Sequence, residues 1–587
     1  MLSFKPALPN SSLLLLALLP LLPWLAPWHL QPVTTFHIEW LAIALGLLAA
    51  LTALPWLWHT ERVAVPKTLW LPVVLAVYLL LQNALLPQVV GPHALMAVAY
   101  LVWVALLMTL IGLLRMQLGA ESVSRWMAGG LLAGAVSVAG RELWYRLTGE
   151  TGNWGGVGQQ NSYGDLLALG GVSILYVQTS CRLPRWLPAL LGLIIVLGLS
   201  LTASRSAWLY WAALAVLCWR YQRVWLKSLL LGFAVYVLLQ GLWTLDVLPA
   251  QQTAAERVLQ QASGASPRWH IWQVAWHLFL QQPLLGHGFG QFDTAYFHAG
   301  QYIPELPTFI EHAHNLILHL LAELGLLPVL LLLLALGRWW RHLSARESAS
   351  TAEKSAELTA PSRAWLMLPA AILAIHSLLE YPLWYSPFLG IAAMILAMGD
   401  ELCAPFVWRK SATILAGMVL VLASGLAAVH EWHYTKMELA LLAVVAQPTV
   451  QRSENLVTVC QQAADNAPLL NPYIPAVFTF TANPNNADMR QEMTQLADAA
   501  VRFTPANNLV YRLALMQALN DQHADAQKTL GQALAAYPTD ASKFIMDIMH
   551  VKGPDSQKVN FMLPMLAPVL GAKIVAGNAN TMLPKAH

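Results

Sequence analysis

The sequence predicts an all-α polytopic membrane protein: about thirteen transmembrane helices, then a C-terminal helical, tetratricopeptide-like domain outside the membrane. Three observations lead there. The 587 residues are 57% hydrophobic and only 11% charged, with a mean hydropathy of +0.53, whereas a soluble domain carries about 25% charged residues. Lys and Arg crowd into alternate connections between apolar runs. After Glu431 polar residues return and the Trp-rich pattern stops.

A span needs about 20 mostly apolar residues. Candidate runs centre on 12–29, 37–58, 69–86, 94–114, 127–146, 164–180, 186–203, 206–219, 226–246, 315–337, 364–381, 386–400 and 411–430. The first follows Lys5 and holds Pro20, Pro23 and Pro27. A cleaved signal peptide is the competing reading, but the run is long and further spans follow, so it reads as a retained helix. With the N-terminus inside, the inside loops collect 17 Lys and Arg, from Lys5 to Arg409 and Lys410. The other side up to residue 430 holds five: Arg141, Arg146, Arg205, Arg257 and Arg268. The positive-inside rule then places the 247–314 loop and everything after residue 430 outside, in the periplasm of a Gram-negative cell.

Four segments follow: N-terminal transmembrane helices over 1–246, a large periplasmic loop over 247–314, C-terminal transmembrane helices over 315–430 and a periplasmic helical tail over 431–587. In the loop, Gln251–Ala262 reads as a polar helix. After Pro267, Trp269, Trp272 and Trp276 recur at helical spacing, predicting an interfacial helix with those rings on one face. GHGFGQF is a glycine-rich turn that follows no strand, so it is not a dinucleotide fingerprint. The inside loop 338–363 reads as a flexible connector. In the tail, 507–519 and 522–536 read as an antiparallel helix pair, and Pro472, Pro505 and Pro538 recur every 33 residues. This domain is either a packing scaffold or a surface for a protein partner.

Composition also excludes some classes. Cys181, Cys218, Cys403 and Cys460 are scattered, with neither a metal spacing nor a disulfide framework. A net charge of +3 with sparse, dispersed charges gives no nucleic-acid footprint. The 25 Trp residues fit interfacial anchoring in a lipid bilayer.

Chemistry concentrates where TFIEHAHNLILHLLAELG turns from polar loop into apolar helix, at Glu311, His312, His314 and Asn315. The topology gathers further groups on the same outer face: Arg205 in TASRSAW, Arg268, Gln159, Gln160 and Asn161 in GVGQQNSYGD, and Glu380, Tyr381 and Tyr385 in HSLLEYPLWYSP. Arginine forks onto phosphate oxygens, and a histidine near its ordinary pKa can take a hydroxyl proton at neutral pH. Together they fit a transfer in which a phosphate or pyrophosphate leaves and a hydroxyl attacks. Each residue alone has a plainer reading: a headgroup anchor for an Arg, a cap for a His, an aromatic belt for Tyr381, Trp384 and Tyr385. Convergence carries the case.

SRSAW with Arg205, PRWHIWQVAWHLFLQQPLLGHGFGQF with Arg268, and HAHNLILHLLAELGLL resemble the O-antigen ligase, or Wzy C-terminal, superfamily. FHIEWLAIALG, GQQNSYGDLLALG and HSLLEYPLWYSPFLG are similar to its bacterial O-linked oligosaccharyltransferases of the PglL/TfpO (PilO) type. The resemblance covers roughly 30–430 well and the tail weakly. It implies a metal-independent, inverting transfer, with no cofactor, of a glycan from undecaprenyl diphosphate to Ser or Thr of an exported protein such as a pilin. The enzyme would sit in the inner membrane, its active site facing the periplasm. By motif, His314 matches the family's essential histidine, Arg205 and Arg268 the arginines that hold the diphosphate, and Tyr385 a further catalytic position with Tyr381 its rival. Gln159, Asn161, His312, Asn315, Tyr381 and Glu380 are expected to line the substrate. The family pattern GxxGQPN is GVGQQN here, with Gln160 in the proline place. No paired carboxylates occur among Glu256, Asp293, Glu305 and Glu311, and no WWD motif occurs. The rival readings are an O-antigen ligase acting on lipid A core, a Wzy-type polymerase, a lipid-linked glycan transporter and a non-catalytic docking protein.

Overall fold

The computed structural model describes residues 8–26, 32–150, 152–245, 267–300, 309–345 and 358–568. The expected polar helix Gln251–Ala262, Lys5, Arg257 and the middle of the inside connector lie outside them. Helices in chain order are α1 (Leu8–Leu18), α2 (Leu22–Leu25), α3 (Phe36–Leu57), α4 (Trp70–Leu85), α5 (Gly91–Leu118), α6 (Ala120–Thr148), α7 (Gln160–Ser180), α8 (Trp186–Ser200), α9 (Ser206–Tyr221) and α10 (Leu226–Thr244). Then come α11 (Pro267–Gln281), α12 (Phe292–Ala299), α13 (Leu316–Leu324), α14 (Leu326–Ser344), α15 (Ala360–Ser377), α16 (Ser386–Gly399) and α17 (Lys410–Ala446). The tail adds α18 (Val450–Asn466), α19 (Tyr473–Thr481), α20 (Arg490–Phe503), α21 (Asn507–Leu519), α22 (His523–Ala536), α23 (Ala541–Met549) and α24 (Ser556–Val559). The protein is an all-α, multi-pass membrane protein. Six helices among the described residues are long and apolar enough to cross a bilayer, including α3, α5, α10 and α17.

Every expected span falls on helix, but two are broken. Pro20 and Pro23 interrupt the first, between α1 and α2. The 315–337 run, read as one span, divides at Gly325. Its φ is +77°, and a Cβ there would sit 2.4 Å from the Leu284 carbonyl oxygen, so only glycine fits. The glycine-rich turn explains the break. The N–H groups of His287 and Gly288 donate to the carbonyls of Ala322 and Glu323 (both 2.9 Å), and Leu326 N–H donates to Pro283 O (2.9 Å). The free carbonyls at the end of α13 are thereby satisfied by an adjacent loop. Glu323 in turn accepts from Phe292 N–H at 3.0 Å, at the start of α12.

The two ends of the bundle carry different contacts. At one end, β1 (Arg62–Val63) pairs antiparallel with β2 (Phe406–Val407). Beside it, Lys67 bridges to Glu401. Buried Arg115 donates to the carbonyls of Ala397 (2.9 Å) and Asp400 (2.8 Å), at the C-terminus of α16. The other end holds the starts of α3, α7, α9, α13 and α16. A helix of 14 residues such as α16 spans about 21 Å, which sets the separation.

At that second end α17 runs on without interruption past residue 430, for 37 residues, about 55 Å. The tail helices pack as antiparallel pairs, and α21 with α22 is the pair expected from sequence. Ala514, Ala518, Ala526 and Ala533 let the two approach closely around Leu530. The tail meets the membrane helices through aromatic contacts: Phe36 stacks on Tyr434 (3.6 Å), His93 meets Phe503 edge-on (5.5 Å), and Phe297 lies parallel to Tyr537 (6.0 Å).

α11 keeps Trp269 and Trp276 on one unburied face, and Trp272 alone departs from the expected aromatic face. Its buried face is Ile271, Val274, Ala275 and Leu278, while Trp269 and Trp276 are exposed. Trp272 turns inward because its indole N–H finds a partner: it donates to Ala313 O at 3.0 Å.

Candidate active site

The segment 313–315 is held from three sides. Ala313 accepts from Trp272 and donates its N–H to His319 Nδ1 at 3.3 Å. His314 has φ +50°, a left-handed conformation uncommon for a residue with a side chain. Asn315 then caps α13, its Oδ1 accepting from Leu318 N–H at 3.1 Å. The sharp turn at His314 swings its ring away from α13 toward the loop between α15 and α16.

Glu380 lies in that loop and is only 4% exposed. Its N–H donates to His376 O at 2.7 Å, which fixes the turn that ends α15. Three separate elements converge on its carboxylate. His314 Nδ1 lies 2.9 Å from Oε2, Asn161 Nδ2 donates to Oε1 at 2.8 Å, and Arg268 forms an ion pair with Oε1. Burial acts to raise the Glu380 pKa, but the His314 hydrogen bond and the Arg268 charge outweigh it. The net displacement is below the ordinary carboxylate value. An ionised carboxylate only accepts, so His314 Nδ1 donates to it, which in the neutral tautomer makes Nε2 the acceptor. His314 and Arg268 are each 28% exposed, so both remain reachable.

Around this centre stands an aromatic layer. The His312 ring packs on Tyr381 (4.2 Å) and Trp384 (5.1 Å), with Nδ1 buried and unpartnered. Burial, with His319, His314 and His93 nearby, holds its pKa well below the ordinary value, so it stays neutral. Tyr381 lies 5.4 Å from His314 and 6.0 Å from Tyr385, ring to ring. Burial raises the pKa of both phenols. Among the described residues, no group of three or more His, Cys, Asp or Glu is arranged to hold a metal ion.

The structure thus brings together Arg268, His314, Asn161, Glu380, His312, Tyr381 and Tyr385. The others sit at the edge. Gln159 caps α7, accepting from Ser162 N–H at 3.1 Å, two residues before Asn161. Arg205 precedes the first turn of α9, half-buried. That helix reaches the centre through Tyr210, whose hydroxyl lies 2.9 Å from His376 Nδ1. Sequence reading named Glu380 as one lining residue among several and did not find its three partners. It also missed Trp272, His319, Glu39 and Tyr100. Glu39 left a signal, a carboxylate in the apolar run FHIEWLAIALG.

Comparison with known proteins gives two family matches and one relative. Residues 189–334 match the family described as O-Antigen ligase, and 364–547 match the C-terminal region of the virulence factor membrane-bound polymerases. The chain is also similar to a protein from Acinetobacter baylyi named general O-oligosaccharyltransferase, 26% identical over 406 residues, 64% of this chain and 67% of that protein. Arg205, Arg268 and His314 fall in the first matched region and Glu380 to Tyr385 in the second, so the Glu380 contacts join the two. Two regions of this multi-pass membrane protein thus match models of the O-antigen ligase and membrane-bound polymerase families.

Proposed function

We propose that the protein is an O-linked oligosaccharyltransferase. It moves a glycan from undecaprenyl diphosphate to Ser or Thr of an exported protein, a pilin or a pilin-like protein, at the periplasmic face of the inner membrane. The observation that carries this reading is Glu380 holding His314 and Arg268 on one carboxylate. The name of the Acinetobacter relative supports the class of reaction.

In this mechanism the acceptor hydroxyl hydrogen-bonds to His314 Nε2. Its oxygen attacks the anomeric carbon, and the bond from that carbon to the diphosphate breaks on the opposite face, inverting the centre. The hydroxyl proton passes to Nε2, and ionised Glu380 stabilises the imidazolium, as a carboxylate does behind a general-base histidine. Charge grows on the departing diphosphate. Arg268 spends part of its five-donor fork on Glu380 and offers the rest to the phosphate, with Arg205 as second cation. These arginines supply the positive charge the leaving group requires, and the proposal assigns no metal or cofactor.

The test is co-expression with a lipid-linked glycan pathway and a candidate pilin, with pilin mass as readout, alongside His314→Ala. A pilin that gains the glycan mass only with wild type supports the proposal. Glycan appearing on lipid A core with the pilin unmodified shows a ligase instead. Transfer by His314→Ala at the wild-type rate removes His314 from the mechanism.

A further inference from the structure

The α15–α16 loop divides the site into two chemically different sides. α15 packs against α7 and α9, the side of Asn161 and Tyr210, whereas α16 packs against α3 and α5. Toward the first side Glu380 meets Arg268. On the second, the polar groups are carboxylates and phenols. Glu39 Oε2 accepts from Ser386 N–H at 2.6 Å and from the Tyr100 hydroxyl at 3.3 Å, and Ser386 Oγ donates to Glu39 O at 3.0 Å. Tyr385 is the residue just before Ser386, so Glu39 sets where the Tyr385–Tyr381 pair stands.

The tail completes this side. The 468–470 turn packs on α5, and Leu470 and Ile474 join a cluster with Val33 and Phe36. That seats Tyr473, the first residue of α19, beside the start of α3, with its ring edge-on to Phe503 at 5.3 Å. Glu311 adjoins His312, whose ring packs on Tyr381 at 4.2 Å. The four tyrosines are half-buried and Glu311 is exposed, so the surface they form is accessible.

Such a surface suits sugar. Phenol rings take the C–H faces of a pyranose, and carboxylate and phenol oxygens take its hydroxyls. A diphosphate is drawn instead to the arginines across the loop. We propose that Tyr100, Tyr381, Tyr385 and Tyr473, with Glu311, form the subsite for the donor's sugar residues, that Glu39 positions Tyr100 and Tyr385 from behind it, and that the C-terminal helices complete it through Tyr473. This rests on the reading above that the donor is a diphosphate-linked glycan.

The experiment measures binding of two lipids to the full chain in nanodiscs: undecaprenyl diphosphate bearing a glycan, and the same lipid without sugar. Wild type is expected to prefer the glycosylated lipid by about tenfold, the worth of one or two good polar contacts. Tyr473→Ala and Glu311→Gln should each cut that preference at least threefold, leave the affinity for the sugar-free lipid unchanged and keep the wild-type melting temperature. Tyr473→Phe should keep most of it. A preference that survives in both Tyr473→Ala and Glu311→Gln overturns the subsite. A rise confined to the acceptor-peptide KM also overturns it, because the surface then serves the acceptor. Failure of wild type to bind either lipid overturns the transferase reading along with the subsite; binding of both lipids with equal affinity overturns the subsite alone.

Discussion

Arg115 and Arg268 occupy opposite ends of the bundle and are used in opposite ways. Arg115 is 5% exposed and donates to two carbonyls at the end of α16, Ala397 and Asp400. It closes a helix terminus, where a cation is favoured and free carbonyls need donors. Arg268 is 28% exposed and meets a carboxylate that two other side chains also hold. It closes nothing, and most of its donors remain available. An arginine buried against backbone carbonyls is part of the scaffold; one held by a side-chain hub and left reachable is equipped to bind.

Predicted outcomes can break this contrast. The largest is His314→Ala, expected to lower transfer by about 10²–10⁴ with normal membrane insertion, measured by glycan transfer in membranes. Glu380→Gln is expected to lower transfer by roughly 10²-fold, since a neutral amide cannot stabilise the imidazolium. The sign of the pH effect follows from the depressed Glu380 pKa. The hub is fully formed above the ordinary carboxylate value of about 4.3 and is lost only as pH falls through the lower folded value. The Glu380 carboxyl should therefore show no titration between pH 5 and 8 in infrared difference spectra referenced to Glu380→Gln; a carboxyl titration in that window would contradict the assignment. Arg115→Ala should instead spare transfer per folded molecule and lower stability by about 2–4 kcal/mol, read as a melting shift, because two carbonyls lose their donor. If Arg115→Ala abolishes transfer in molecules that still melt normally, the division of labour is wrong. The smallest effect is Gln159→Ala, about 1 kcal/mol of stability through the lost α7 cap.

The spans were legible because apolar length is a local property of sequence. So was the α21–α22 pair, where small residues recur at helical spacing. Gly325 was not, because an apolar run on both sides of a glycine reads as one helix; the break depends on the 283–290 turn, which arrives from elsewhere to satisfy the carbonyls. Arg115 counted correctly as an inside charge, but its burial against α16 is a tertiary contact that no local pattern encodes. Motif and topology put the site residues on one face. The convergence of Asn161, Arg268 and His314 on Glu380 joins positions 66 to 219 residues apart, so only the fold displays it. Trp272 was grouped with its Trp neighbours by periodicity, whereas a single hydrogen bond decides which way it faces.

The backbone at His314 inverts a common rule of protein engineering. Alanine ordinarily outranks glycine in stability, since glycine loses more chain entropy on folding. At φ +50° a Cβ costs about 1 kcal/mol, and glycine has none. His314→Gly should therefore melt above His314→Ala although both lack the imidazole. Deleting the base and relaxing the turn then become separable operations, and the difference between the two inactive proteins measures the tension that aims this side chain at Glu380.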